Sequence, residues 1–299
     1  MKILISGATG MIGKALEKEL RKQEHDIVRL VRDKSTTGCC DFYWDPYGES
    51  LDPVALHEVE AVIHLSGESV AGRWTESKKQ RIRDSRVKTT SFLSKFISHH
   101  DEPPKTLICA SAIGYYGSRG DEILTEKSKF GAGFLADTVR QWEAATTPAS
   151  VKGIRVVNTR FGLVLSPKGG ALAKLLPVFK LGGGGVVGSG EQYWSWVTVD
   201  DVVGAIIHAL GKDNLEGPIN VVAPNTVTNR QFTKILSHVL VRPAVIPLPA
   251  FAARLAFGEM ADQLLLSSQR VEPRRLKESG YEFWHPDLEA ALRSLLVDA

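Results

Sequence analysis

A chain of 299 residues with 37 Lys plus Arg, 34 Asp plus Glu and 43% hydrophobic residues has the composition of an ordinary globular protein. Its length allows either one doubly wound domain with an appended lobe or two domains that share a cleft. The near balance of charges gives no indication of a nucleic acid or a membrane surface as a partner.

The three cysteines, Cys39, Cys40 and Cys109, show neither a disulfide framework nor zinc-ligand spacing, which favours a reducing compartment. The eight histidines also lack ligand spacing, so no metal is expected. The chain runs from Met1 into a strand pattern without a cleavable signal, and the apolar stretch 248–257 is too short to cross a bilayer. We therefore expect a cytoplasmic protein.

Short apolar runs alternate with helical patterns along the first part of the chain. The runs predict strands over residues 3–5, 27–31, 61–65, 106–110, 154–159 and 219–222. Apolar residues recur at three and four positions over residues 11–23, 76–98 and 134–145, which predicts helices there. This alternation is typical of an α/β fold with a Rossmann-type, doubly wound parallel sheet.

The pattern changes after Ser166. A Gly-rich segment (182–190) and an aromatic cluster precede a mostly helical end that begins near Thr228. We predict a Rossmann domain over residues 1–165, with its sheet completed by about residues 197–224. Residues 166–299 are predicted to form a smaller, mainly helical lobe that closes over a substrate.

A glycine-rich turn follows the first predicted strand, in the order Gly7-Ala8-Thr9-Gly10-Met11-Ile12-Gly13. Glycines allow a tight turn, a close approach of the backbone to a pyrophosphate and close packing of the next helix. The amino terminus of that helix then faces the phosphates. The placement between a strand and a helix favours a dinucleotide site, with Gly7, Thr9, Gly10, Met11, Ile12 and Gly13 as cofactor-binding residues.

The residue after the second predicted strand distinguishes the two nicotinamide cofactors. NAD sites usually carry Asp or Glu there, for the ribose 2′-hydroxyl. This chain has Arg32, whose forked guanidinium suits a 2′-phosphate, so NADP is the predicted cofactor. Asp33 leaves an alternative in which its carboxylate binds the ribose of NAD.

Several motifs resemble those of an extended short-chain dehydrogenase/reductase of the epimerase type, and more closely the atypical 39U-type subgroup. They are GATGMIG, HLSGES, SAIGYYG, NxRFGLVLSPKGGAL, GSGEQYWSWV, PLPAFAARLAFGEMA and RVEPRRLKESGYEF, nearly end to end. The resemblance implies that Leu65 and Ser66 line the cofactor and that Arg81, Arg86 and Arg160 lie near its phosphates or ribose. Some plastid and cyanobacterial members are described as SulA-like cell-division factors.

Each arginine that the resemblance assigns to the cofactor has an alternative interpretation. The segment 76–88 also fits a solvated basic helix face, the better interpretation for Lys78, Lys79 and Arg83. Arg160 follows an apolar strand, where an unpaired guanidinium is costly, so a phosphate or carboxylate partner is expected.

The wider superfamily reduces carbonyls with a Tyr-x-x-x-Lys pair, in which the lysine lowers the pKa of the tyrosine. None of the six tyrosines has Lys four residues on. Aligning Glu143 with the glutamate that usually ends this motif puts Leu135 at the tyrosine position and Val139 at the lysine position. The usual acid and base are therefore missing.

The loop after the fifth predicted strand contains the substitute candidates for catalysis. Ser111 stands where the family's serine binds a substrate carbonyl, and Tyr115 and Tyr116 follow it. Either tyrosine is a candidate proton donor, and the alternative is that both only wall the pocket.

The aromatic residues suggest the kind of substrate. Tyr115, Tyr116, Tyr193, Trp194 and Trp196 suit a pocket for an apolar or planar small molecule, or else pack between the lobes. Sugar-nucleotide epimerases usually have an arginine at the position of Trp194, which argues against a nucleotide sugar. Asp200 and Asp201 are expected to cap a helix that begins near Val202.

We expect an NADP(H)-dependent oxidoreductase that acts on a small carbonyl or hydroxyl compound. The alternative is a non-catalytic NADP-binding regulatory protein, linked to cell or plastid division. The missing Tyr-x-x-x-Lys pair favours the alternative, and Ser111, Arg160 and the aromatic cluster favour the enzyme.

Overall fold

The computed structural model describes residues 1–34, 38 and 40–297, so Cys39 lies outside the described residues. The strands, in chain order, are β1 (Lys2–Ser6), β2 (Asp26–Val31), β3 (Asp41–Asp45), β4 (Ser50–Leu51), β5 (Ala61–His64), β6 (Thr106–Ala112), β7 (Ile123–Leu124), β8 (Arg155–Phe161), β9 (Leu163–Ser166), β10 (Tyr193–Trp194), β11 (Trp196–Thr198), β12 (Gly217–Val221), β13 (Val227–Thr228) and β14 (Arg270–Val271).

The α-helices are α1 (Met11–Lys22), α2 (Glu76–Ser98), α3 (Phe134–Ala144), α4 (Thr147–Val151), α5 (Gly170–Lys180), α6 (Val199–Leu210), α7 (Asn229–Leu240), α8 (Ala250–Phe257), α9 (Arg274–Glu278) and α10 (Leu288–Leu296). Two short 3₁₀ turns, Pro53–Leu56 and Ile113–Tyr116, and a π-helical turn, Ala261–Leu265, complete the set that the structure describes. None of the described helices is long and apolar enough to cross a membrane.

The main sheet has eight strands in the order β12-β8-β6-β5-β1-β2-β3-β4. All its pairs are parallel except β3 with β4. The chain winds outward in one direction from β1 through β2 and in the other from β5 through β6, so the order reverses between β1 and β5. The predicted doubly wound α/β fold is confirmed, and ligands of such sheets bind in the crevice at this reversal.

Burial on both faces explains why the central strands are almost continuously apolar. Ile3 and Ile5 of β1 face a core that also contains Leu16 of α1 and Ile206 of α6. Leu4, between them in the chain, faces the other core, which contains side chains of α2. The alternation of strand side chains thus divides β1 between two helical layers.

The C-terminal part packs around a third core. Its buried members include Leu172 and Phe179 of α5, Trp196 of β11, Phe232 of α7 and Leu292 of α10. The Gly-rich segment lets the backbone pack closely here, because a Cβ at Gly185 would overlap the carbonyl of Ile246. The proposed division at residue 165 stays a prediction, although β12 from the later part of the chain pairs with β8 of the main sheet.

The expected cap at Asp200 and Asp201 is wrong. α6 begins at Val199, and its N-cap is Thr198, whose hydroxyl accepts a hydrogen bond from the backbone N–H of Asp201. The Asp201 carboxylate is fully buried and accepts bonds from the backbone N–H groups of Trp284 and His285 at 2.8 and 3.0 Å. Asp201 therefore attaches the C-terminal segment to α6.

Candidate functional site

The three glycines of the turn between β1 and α1 differ in their steric surroundings. Gly7 has φ +75°, and a Cβ there would lie 2.8 Å from the carbonyl carbon of Leu65. A Cβ at Gly13 would overlap the carbonyl oxygen of Gly7, so glycine is needed for the helix to pack against the turn. Gly10, the N-cap of α1, is different: a Cβ there would meet only the Gly7 oxygen, at 3.3 Å. The space beyond Gly10 is open.

The remaining residues of the turn lie around this open space. Thr9 is exposed, whereas Ile12 is half-buried and packs against the main core, as does Leu65. Met11 reaches the loop before α5, since a Cβ at Gly169 would lie 3.1 Å from the Met11 sulfur. The amino-terminal ends of α1 and α5 therefore meet at the Met11 side chain.

The loop after β5 is held from behind by Arg86 of α2. Nη1 of Arg86 donates to the carbonyl oxygens of Glu68 and Ile82, both at 3.0 Å. Its guanidinium also lies over the Trp142 ring, 5.1 Å from the centroid. Burial lowers the pKa of Arg86 to about 10. The structure thus places Arg86 as a support for the loop that contains Leu65 and Ser66.

Three cations surround Glu68 at the end of the crevice near β2. Lys78 donates to the Glu68 carboxylate at 2.6 Å, and Nε of Arg81 lies 4.0 Å from it. The hydrogen bond from Lys78 lowers the pKa of Glu68 most, and the charges of Arg81 and Arg32 lower it further. Arg32 is exposed and makes no hydrogen bond with the described residues. Local positive charge therefore exceeds negative charge here.

Arg160 forms a buried ion pair instead of facing the crevice. Its Nε and Nη2 donate to the two oxygens of Glu143, each at 2.7 Å. Ser111 donates to the same carboxylate at 2.6 Å. Burial by itself would lower the pKa of Arg160, but the hydrogen bonds and charge of Glu143 outweigh it and raise the pKa. The expected partner of Arg160 is thus a carboxylate of this chain.

Tyr116 belongs to the same network. It is fully buried, and its hydroxyl accepts from Arg160 at 2.9 Å and donates to the Asn220 side chain at 2.7 Å. Burial raises the pKa of Tyr116 to about 12. Tyr115 is half-buried, and its ring centroid lies 3.6 Å from the Arg160 guanidinium carbon. The structure brings Ser111, Tyr115, Tyr116 and Arg160 together, but in a packed network.

Leu135 and Val139 stand at the positions of the usual tyrosine and lysine, and in the structure they too have apolar surroundings. A Cβ at Gly114, in the loop after β6, would lie 3.5 Å from the Leu135 Cβ and 3.9 Å from Val139. Both side chains are buried. They fill the volume beside this loop with hydrocarbon.

A cleft of about 70 Å³ opens at this point, between the loop after β6, the beginning of α3 and the segment around the π-helical turn. It is lined by Gly114, Gly117, Ser118, Ala132, Leu135, Ala136, Asp262, Gln263, Ser267 and Gln269. The segment is anchored by Gln263, which accepts from the Leu135 N–H at 2.8 Å, and by Glu259, which pairs with Lys79 at 2.7 Å.

The cleft differs from the expected aromatic pocket. Trp196 and Tyr116 are fully buried in separate cores, and Trp194 packs edge-on against Phe232, with ring centroids 5.3 Å apart. Aromatic walls around a planar ligand are therefore wrong for Tyr116, Trp194 and Trp196, because packing inside the protein occupies these three side chains. No sequence motif identified the polar residues of the cleft, for which the run Ser267-Ser268-Gln269 between apolar stretches was the available signal.

Comparisons with known proteins agree with this architecture. A model of the NAD dependent epimerase/dehydratase family matches residues 3–223. The chain belongs to this family. A second model, a domain of unknown function (DUF1731), matches residues 248–295, which include the polar wall of the cleft.

Individual family members match nearly end to end. An epimerase family protein of Mycobacterium bovis is 42% identical over 291 residues, covering 97% of this chain and 96% of that protein. The chloroplastic SDR39U1 homolog of Arabidopsis thaliana is 36% identical, covering 99% of this chain and 87% of that protein. The crystal structure of human epimerase family protein SDR39U1 with NADPH superposes with a TM-score of 0.91 at 33% identity and covers 99% of each chain. The resemblance to the 39U-type subgroup is confirmed.

Proposed function

We propose that this family member binds NADP(H) in the crevice between β1 and β5 and is an oxidoreductase for a small carbonyl or hydroxyl compound. The open space beyond Gly10 carries the proposal: the backbone there accommodates a pyrophosphate, while Gly7 and Gly13 fit only this tight turn. The human SDR39U1 structure that this chain resembles contains NADPH.

The cations near Glu68 favour NADP over NAD. Arg32 has no hydrogen-bond partner among the described residues, and Arg81 is more than half exposed. Both are available to a 2′-phosphate, whereas Glu68 neutralises only one positive charge of the group. Ser66 and Leu65 would line the cofactor beyond the turn.

NADPH, when bound, supplies a hydride for carbonyl reduction. The chain itself must orient the substrate and provide a proton. Of the described residues that line the cleft, Ser118, Ser267 and Asp262 have side chains that can exchange one. Because neutral hydroxyls are weak acids and Leu135 replaces the usual tyrosine, we expect slow turnover.

A non-catalytic NADP-binding regulatory protein is the second candidate. Leu135 and Val139 favour it, since no tyrosine and lysine pair can act from these positions. The engagement of Ser111 by Glu143 favours it too, because the serine hydroxyl already has an acceptor.

Calorimetric titration tests the cofactor. NADPH should bind at least about tenfold more tightly than NADH, since a charge-assisted pair contributes roughly 1.5 to 3 kcal/mol. Arg32→Ala should remove the preference, whereas Lys88→Ala, which removes an exposed cation of α2, should retain it. Equal affinities in the wild type would refute the NADP assignment and favour a role for Asp33.

A screen of NADPH oxidation against carbonyl compounds tests the chemistry. Substrate-dependent oxidation by the wild type and none by Gly10→Val would support the enzyme. Tight NADPH binding without any turnover would favour the regulatory protein.

A further inference from the structure

Glu68 lies beside a cation cluster that consists of Arg32, Lys78 and Arg81. Its carboxylate accepts a hydrogen bond from Nζ of Lys78 at 2.6 Å and lies 4.0 Å from Nε of Arg81. Arg32 is close enough for its charge to lower the pKa of Glu68. One carboxylate thus faces cations from two separate parts of the fold, the residue after β2 and the helix α2.

The pair between Glu68 and Lys78 is accessible to solvent. The side chain of Glu68 is 38% exposed, and that of Arg81 is 58% exposed. Exposed ion pairs of this kind stabilise a folded protein only slightly, whereas separating a buried pair is costly. An anion from solution can therefore reach the cation cluster and take the place of the Glu68 carboxylate without destabilising the fold.

The backbone of Glu68 is held independently of its side chain. The N–H of Glu68 donates to the hydroxyl of Ser85 at 2.9 Å, and its carbonyl oxygen accepts from Arg86 at 3.0 Å. Ser85 is buried in α2, so this attachment is firm. The carboxylate can leave the cation cluster while the loop that contains Leu65 and Ser66 keeps its position.

The balance of charge indicates which anion can replace Glu68. The cation cluster carries three positive charges, of which the carboxylate neutralises one. A phosphate monoester carries about −1.5 to −2 charges at pH 7, so it attracts the cluster more strongly than a carboxylate does and repels Glu68. The 2′-phosphate of NADP(H) is such a monoester, whereas the ribose 2′-hydroxyl of NAD(H) has no charge with which to compete.

We propose that Glu68 is an internal competitor of the 2′-phosphate: its carboxylate occupies Lys78 in the cofactor-free protein and releases it when NADP(H) binds. Glu68 then determines how strongly NADP(H) is preferred over NAD(H), because only the phosphorylated cofactor can displace it. The proposal rests on the proposed function, since it requires NADP(H) in the crevice between β1 and β5.

Calorimetric titration of Glu68→Gln tests the proposal. Glutamine has nearly the same size as glutamate but no charge. We expect the variant to bind NADPH about tenfold more tightly than the wild type and NADH within about twofold of it, because the repulsion and the competition for Lys78 are gone. 2′-AMP, which contains the phosphate without the nicotinamide half, should gain the same factor. The gain should shrink in about 0.5 M NaCl, since salt screens exposed charges.

Two further variants serve as controls. Glu76→Gln removes the same charge from an exposed glutamate of α2 that pairs with Lys79, so it should change NADPH affinity less than about twofold. In a Lys78→Ala background, Glu68→Gln should raise NADPH affinity less than about threefold, because the cation for which both anions compete is missing. An undiminished tenfold gain in that background would overturn the release of Lys78.

The remaining outcomes each overturn the proposal in a different way. Weaker NADPH binding by Glu68→Gln would show that the carboxylate orients Lys78 for the phosphate, and weaker NADH binding would assign it to the ribose hydroxyls. Unchanged affinities would leave Glu68 without influence on the cofactor. If the wild type binds no NADPH, the proposed function fails. Titration of 2′-AMP into the wild type and Glu68→Gln then still decides whether Glu68 competes with a phosphate, and binding to neither protein rejects it.

Discussion

Arg160 and Glu143 form a two-point ion pair at the carboxyl end of the sheet, with both Arg160-to-Glu143 distances at 2.7 Å. Ser111 shares the carboxylate, and Tyr116 shares the guanidinium. Ser111, Tyr116 and Arg160, which the sequence suggested as functional residues, therefore belong to a packed network. The first two predictions follow from this network.

Glu143→Gln should lower the free energy of unfolding by about 3 kcal/mol, because it leaves a buried guanidinium without a counter-charge. Urea unfolding measures the loss. Glu289→Gln, which breaks the exposed pair with Arg293 at 2.8 Å, is the matched control and should cost less than about 1 kcal/mol. Equal small losses in the two variants would show that the buried pair contributes no more than an exposed one.

Tyr116→Phe should destabilise the protein by roughly 1 to 3 kcal/mol, because Arg160 and Asn220 both lose a partner. Tyr115→Phe should stay within about 0.5 kcal/mol of the wild type, since the Tyr115 hydroxyl makes no hydrogen bond with the described residues. Chemical denaturation compares them. A Tyr116→Phe protein with full stability and a turnover reduced about 10²- to 10⁴-fold would instead identify Tyr116 as the general acid.

His64 should make stability depend on pH. It is fully buried at the end of β5, bonded to the Ser6 hydroxyl, and burial lowers its pKa from 6.5 to about 4. Its neutral form is favoured in the folded state, so its contribution is complete above about pH 6.5 and is lost as the pH falls from 6.5 to 4. The shift corresponds to about 3 kcal/mol.

Urea unfolding of the wild type and His64→Gln across this range measures the effect. The variant should be less stable than the wild type at pH 7. Its free energy of unfolding should lack the part of the decrease that His64 causes as the pH falls from 6.5 to 4. Parallel curves for the two proteins would contradict the assignment, since the remaining groups would then account for the whole dependence.

Substitutions at Gly10 and Gly13 should separate an effect on cofactor binding from an effect on folding. Gly10→Val places a Cβ 3.3 Å from the Gly7 carbonyl oxygen and the rest of the side chain in the open space beyond the turn, so it should abolish NADPH binding at a smaller cost in stability than Gly13→Ala. Gly13→Ala drives a Cβ into the backbone of Gly7 and Ala8, so it should cost roughly 1 to 3 kcal/mol of stability. Calorimetry and thermal unfolding measure the two effects. Wild-type NADPH affinity in Gly10→Val would place the phosphate site elsewhere.

The sequence by itself determined the main elements and the glycine turn. The predicted helix over residues 76–98 has those bounds in the structure, and the strand predicted at residues 27–31 forms β2, Asp26–Val31. Local periodicity fixes backbone conformation and the buried face, and the spacing of Gly7, Gly10 and Gly13 reflects steric limits within a few residues.

Tertiary structure alone decided which side chains meet. The partner of Arg160, the burial of Trp196 and the contact of Asp201 with Trp284 depend on how distant elements pack. The cleft likewise joins Gly114 to Ser267, far apart in the chain. Such contacts follow from the crossing of β6, α3 and the C-terminal segment, and no local pattern encodes them because each segment can satisfy its own periodicity in many arrangements.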